Sequence, residues 1–82
     1  MCDGEFRRLM LMAECALLVA SGVDAGYWMG YLRGLRRGHH GAAFGTTAEH
    51  ERWLWLLGSP SASRHAVGRG YRDGVLAAGG VV

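Results

Sequence analysis

Residues 30–35, Gly-Tyr-Leu-Arg-Gly-Leu, and residues 70–75, Gly-Tyr-Arg-Asp-Gly-Val, repeat one pattern: glycine, tyrosine, two variable positions, glycine, aliphatic. Around the first copy, Tyr27, Tyr31 and Leu35 recur every four residues beside Gly26, Gly30 and Gly34. Around the second, Val67, Tyr71 and Val75 recur beside Ala66, Gly70, Gly74 and Ala78. This is helical spacing. Each glycine inside a helix costs about 0.5–1 kcal/mol relative to alanine. Several on one strip call for a compensating gain, and close approach of another backbone supplies it, as at small-xxx-small helix crossings in membranes. The pattern predicts two helices, Ala25 to Arg37 and Ala62 to Ala78, that touch closely with a tyrosine beside the crossing. Six shared positions are read as a physical pairing and not as a duplication.

The rest of the chain is also helical in pattern. Only eight of 82 residues are Val or Thr, there is no Ile, and strand-type alternation is missing. A first helix is predicted from Gly4 to Ser21, with Asp3 as its N-cap and Gly22 as its stop. Phe6, Leu9, Met10, Ala13, Leu17 and Ala20 make one apolar stripe, while Leu11, Met12, Cys15, Leu18 and Val19 make the other side apolar too. A helix apolar on most sides is buried on most sides, so this one is expected to be central or at a subunit interface. Asp24 should cap the second helix and Gly38 should end it, leaving Gly38 to Gly45 as a glycine-rich loop. Thr46-Thr47-Ala48-Glu49 matches a capping box and starts a short third helix running to Leu57. Ser59 or Ser61 should cap the fourth, and Gly79 to Val82 should fray. The expected fold class is all-α, a compact four-helix single domain over residues 1–82 with a close Gly/Ala-mediated crossing.

Size and composition bound the function. A domain of 82 residues buries roughly 60–65% of the surface of its unfolded chain, so its stability margin is thin. Small scaffolds often add a disulfide, a metal or a second subunit. Cys2 and Cys15 have no CxxC spacing and read as reduced thiols of a cytoplasmic protein, which leaves as the expected supplement a homodimer, through the first helix or through the Trp-bearing surface. A net charge of +2 excludes an acidic DNA mimic. All nine positive side chains are Arg, the signature of a GC-rich coding sequence. Arg7-Arg8 ahead of Leu9 to Ala20 imitates a signal peptide, but Glu14 interrupts the run and it is too short to span a bilayer, which takes about 20 apolar residues. No membrane role is expected.

Chemistry is thinly supplied. His39, His40, Glu49 and His50 would suit a divalent metal if they converged, yet no HExxH or paired CxxC/HxxxH spacing is present. The favoured alternative is that His39 and His40 sit at the negative end of the second helix and His50 packs near Trp53. Cys15 lies in apolar surroundings that disfavour a thiolate. Neither an enzyme nor a cofactor is expected. The positive stretch is the stronger cue: no acid falls between Asp24 and Glu49, while Arg33, Arg36, Arg37, His39 and His40 crowd together. Arginine suits bidentate pairing with phosphate or carboxylate. No helix-turn-helix is recognisable, because the connection after the second helix is too long. Trp53 and Trp55 point about 200° apart on a helix, so one can be core and the other exposed. An exposed Trp near Arg has the makeup of a protein-binding hot spot.

Residues 30–54, GYLRGLRRGHHGAAFGTTAEHERWL, resemble a group of short bacterial and prophage open reading frames that share G-Y-x-x-G-L-R-R, H-G, F-G-T and E-H-x-x-W-L elements. The resemblance implies a mobile-element accessory protein and supplies no catalytic residues. Proteins of that kind include anti-CRISPR inhibitors, which plug a host machine. The expectation is therefore a phage-type protein that inhibits a host protein complex by occlusion, through Arg33, Arg36, Arg37, His39, His40 and Trp55. The alternative is an Arg-dependent nucleic-acid-binding accessory protein.

Overall fold

The two glycine-bearing segments are helices, α2 (Gly22–His40) and α4 (Ala62–Ala77), and they cross in backbone contact. The computed structural model describes all residues, 1–82, and adds α1 (Asp3–Val19) and α3 (Thr47–Trp55), with 3-10 turns at Gly41–Ala43 and Leu56–Gly58. The fold is all-α. A methyl group placed on Gly30 would overlap the carbonyl oxygen of Val67, and one on Gly34 that of Tyr71. Reciprocally, Gly70 faces the carbonyl of Tyr27 and Gly74 that of Tyr31. Successive glycines meet successive turns in the same order, so α2 and α4 run parallel. Each glycine faces a carbonyl on the other helix, an arrangement that allows Cα–H···O contacts. The echoed sequence pattern is thus a matched pair of surfaces.

The crossing explains where α2 ends. Gly38 does not stop it as the sequence suggested. A Cβ there would lie 2.6 Å from the Val75 carbonyl oxygen and 2.9 Å from Ala78 Cβ, so Gly38 is a further member of the seam. The helix continues through His39 and His40, and Gly41, at φ +63°, ends it. Most of the expected Gly38–Gly45 loop is therefore a helical turn and a 3-10 turn. Arg37, His39 and His40 occupy the last turn, where positive charge suits the helix dipole.

At its other end α2 begins before the expected Asp24 cap. α1 closes at Val19, and only Ala20 and Ser21 separate the two helices. Gly22, expected to stop α1, instead opens α2 at φ +58°, and Asp24 lies in its first turn. α1 is not central. Ala13 is its only buried residue, and Phe6, Leu9, Met10 and Leu17 pack half-buried against Tyr31, Leu32, Leu35 and Ala78.

The short α3 is capped by Thr46, whose Oγ accepts the Glu49 amide at 3.1 Å. The Glu49 carboxylate does not return the bond; it pairs with Arg33 instead. The 3-10 turn after α3 seats on α4 at Gly68, where a Cβ would stand 2.8 Å from Leu56 Cβ. His65 Nδ1 fixes that turn by donating to the Leu57 carbonyl at 3.0 Å. Ser61 caps α4 through the Arg64 amide. The tail expected to fray from Gly79 is tied down further: the amides of Gly79 and Gly80 bond back to Leu76 and Val75, a Schellman closure with Gly79 at φ +82°. The helices lie side by side in the order α1, α2, α4, α3, a slab with extents of 35 × 31 × 14 Å.

Candidate functional site

Three elements converge around Tyr71. The glycine seam presses α4 against α2, which leaves the tyrosine ring only 1% exposed. Trp53 of α3 stacks on that ring at 5.5 Å and 17°. His50, one turn earlier, shares a 2.6 Å hydrogen bond between its Nδ1 and the Tyr71 hydroxyl. Burial pushes the Tyr71 phenol above its ordinary pKa, against the opposing pull of the Arg37 and Arg33 charges. Arg33 of α2 spreads its guanidinium between Phe44, 5.2 Å away, and Trp53, 5.0 Å away, and pairs with Glu49 at 3.3 Å. Both partners of that pair are more than a third exposed, so it stabilises weakly, and the two aromatic faces hold the guanidinium as much as the carboxylate does. Arg37 reaches beside Gly45, and its Nε is sealed from solvent without a partner.

A second polar cluster clamps the first half of α2 to the second half of α4. The Tyr27 hydroxyl donates to Asp73 Oδ2 at 2.6 Å, and Arg72 bonds the other carboxylate oxygen. Arg69 lies 5.2 Å over the Tyr27 ring. Burial first, then the hydrogen bond and charge of Asp73, push the Tyr27 pKa up to about 12. Tyr31 moves in the same direction, chiefly through burial.

The residues expected to form one binding surface are divided. Arg33 and Arg37 turn toward Tyr71 and are half-buried. His39 turns the other way: it stacks on Phe6 of α1 at 4.1 Å and meets Asp3 at 3.0 Å. His40 sits edge-on to the same Phe6 ring. Only Arg36 and His40 among the five basic residues are exposed. The four residues weighed as metal ligands are likewise separated, His39 and His40 at α1, Glu49 and His50 at Arg33 and Tyr71, and no three His, Cys, Asp or Glu side chains gather anywhere.

Trp55 lies where helical geometry placed it, on the side of α3 away from Trp53. It is 75% exposed. The exposed Arg52 is one turn before it on the same helix. Arg52, Trp53 and Leu56 line a shallow, open, largely apolar depression at this edge of the slab. The Tyr71–His50 pair and the Tyr27–Asp73 clamp escaped the sequence reading. Glu49 and His50 were visible as neighbours, but their partners come from helices 16 and 21 positions away, brought near only by the crossing.

No protein-family model matches the chain, and no curated protein or solved structure is significantly similar to it.

Proposed function

We propose that the protein is a small binding protein that inhibits a host protein complex by occlusion, docking through the α3 edge with Trp55 as its anchor. The carrying observation is the 75% exposure of Trp55 on α3, a helix whose Trp53 stacks on Tyr71 and whose Arg52, Trp53 and Leu56 line a shallow apolar depression. Tryptophan and arginine are the residues enriched where binding energy concentrates. The Arg33–His40 stretch serves this reading less well than expected, since Arg33, Arg37 and His39 have internal partners or are partly covered. That also weakens the reading as an Arg-dependent nucleic-acid-binding protein. The resemblance to prophage accessory frames makes a host defence complex, CRISPR effectors included, the first target class, which sets the action in the host cytoplasm. The protein works as a homodimer, without a cofactor or catalytic step. No helix is long and apolar enough to cross a membrane.

The test is capture of purified CRISPR effector complexes by the immobilised protein. Trp55→Ala should weaken capture about 30-fold, the equivalent of a 2 kcal/mol anchor, and Arg36→Ala only slightly. Binding should change little with salt. A steep fall, with a log–log slope of about −0.9 for each phosphate contacted, would move the assignment to nucleic acid.

A further inference from the structure

The outer side of α1 is bare, and its residue pattern is that of a helix that pairs with another. Leu11, Met12, Cys15, Leu18 and Val19 are all exposed, Leu18 at 84% and Val19 at 88%. Together with Arg8 they fall at spacings of four and three, 8-12-15-19 and 11-15-18, which is the seam spacing of paired helices. The stripe lies opposite the side that packs on α2, so it forms one edge of the slab. Nothing else in the fold reaches it, since α1 packs chiefly on α2.

We propose that this edge binds a second copy of the same chain, with the two α1 helices antiparallel about a two-fold axis, Met12 opposite Cys15 of the second copy and Arg8 opposite its Val19. The proposal rests on the reading of the protein as a dimeric binding protein and names the surface that makes the dimer. Charge selects the orientation. The first turn of α1 holds Asp3 and Glu5, and its last turn holds no basic residue. In the antiparallel pair, Arg7 and Arg8 of each copy lie over the carbonyl-bearing end of the other α1, where a cation is favoured. In a parallel pair the same arginines would face each other. The match is self-complementary, as a two-fold interface requires. A membrane-surface helix would instead carry a strongly cationic polar face, whereas α1 offers Asp3, Glu5 and Glu14 against two arginines. A helix of 17 residues presents a seam about 25 Å long, an interface at the small end of the stable range. Dissociation is therefore expected at micromolar concentration.

The experiment measures the mass in solution by sedimentation or light scattering. At about 100 μM the protein should show twice its 8.9 kDa chain mass. Leu11→Glu/Leu18→Glu should return it to the chain mass with its helical circular dichroism intact, since both positions already face water. Trp55→Glu should leave the mass doubled; that variant instead tests the docking edge, so failure of one proposal is distinct from failure of the other. The register is read by oxidation. A Cys2→Ser/Met12→Cys chain should form a disulfide-linked dimer, whereas Cys2→Ser alone should not. A monomer at about 100 μM, an unchanged mass in the α1 double variant, or a dimer linked through Cys15 alone would each overturn the proposal.

Discussion

The α2–α4 crossing and the α1 edge are built from the same small apolar alphabet, yet they sit at opposite ends of a scale of constraint. At the crossing, Gly30, Gly34, Gly70 and Gly74 admit no other side chain, because carbonyl oxygens already occupy the Cβ positions. Leu35, Tyr71 and Val75 around it are all but inaccessible to solvent. α1 contributes one buried residue, and it is held otherwise by half-buried stems and the His39–Asp3 contact, whose carboxylate is largely in water. The lesson is that a small chain can concentrate its packing in one seam and leave whole helix faces available.

The largest expected effect breaks the seam. Gly34→Ala or Gly70→Ala forces backbone apart at a parallel crossing, and a loss of about 3 kcal/mol is expected from overpacking alone. Urea unfolding measures it, and both together should leave the chain unfolded at room temperature. Hydrogen exchange sharpens the contrast next. In the monomeric α1 double variant, amides at residues 9–17 should exchange about 30-fold faster than those at 31–35, a difference of about 2 kcal/mol in local opening. Equal protection would mean that α1 belongs to the same cooperative unit as the seam.

Smaller effects follow from the polar clamps. Tyr71→Phe leaves His50 without its partner at a half-buried site, and a cost of about 1–2 kcal/mol is expected. Tyr27 gives a pH signature. Its pKa is raised in the folded protein, so the protonated phenol is the stabilising form. That stability is complete below the ordinary tyrosine pKa of 10.0 and is lost as pH rises toward about 12. Thermal melts should therefore fall between pH 10 and pH 12, and Tyr27→Phe should flatten that decline in part, with the raised Tyr31 and Tyr71 responsible for the rest. His39→Ala removes a largely covered α2 ring that stacks on Phe6 and bonds Asp3, and a cost of about 1 kcal/mol is expected in the melt.

The crossing was legible in the sequence because glycine at four-residue spacing has a single strong physical reason inside a helix. Thr46 and Ser61 were legible as caps for the same reason: a short side-chain oxygen just before an apolar periodic run serves the free amides of the first turn. Gly38 and Gly22 misled because a glycine near a helix end looks the same whether it stops the helix, starts the next or lets another backbone in. The spread of Arg33, Arg36, Arg37, His39 and His40 was hidden for another reason. Neighbours on a helix share a local charge, but which way each long side chain turns is decided by Phe6, Trp53 and Glu49, on elements that local periodicity does not place. Trp55 was the exception, since only its angle from Trp53 was needed.

The most direct test of the seam compares two glycine substitutions of identical chemistry. Gly34 meets the Tyr71 carbonyl, whereas Gly4, in the first turn of α1, has nothing within 4 Å of its Cβ position. Urea titrations of Gly34→Ala and Gly4→Ala should diverge: the first loses about 3 kcal/mol, and the second is unchanged or gains up to about 1 kcal/mol from the stiffer unfolded chain. Equal midpoints for the two variants would contradict a fold built on backbone contact between α2 and α4.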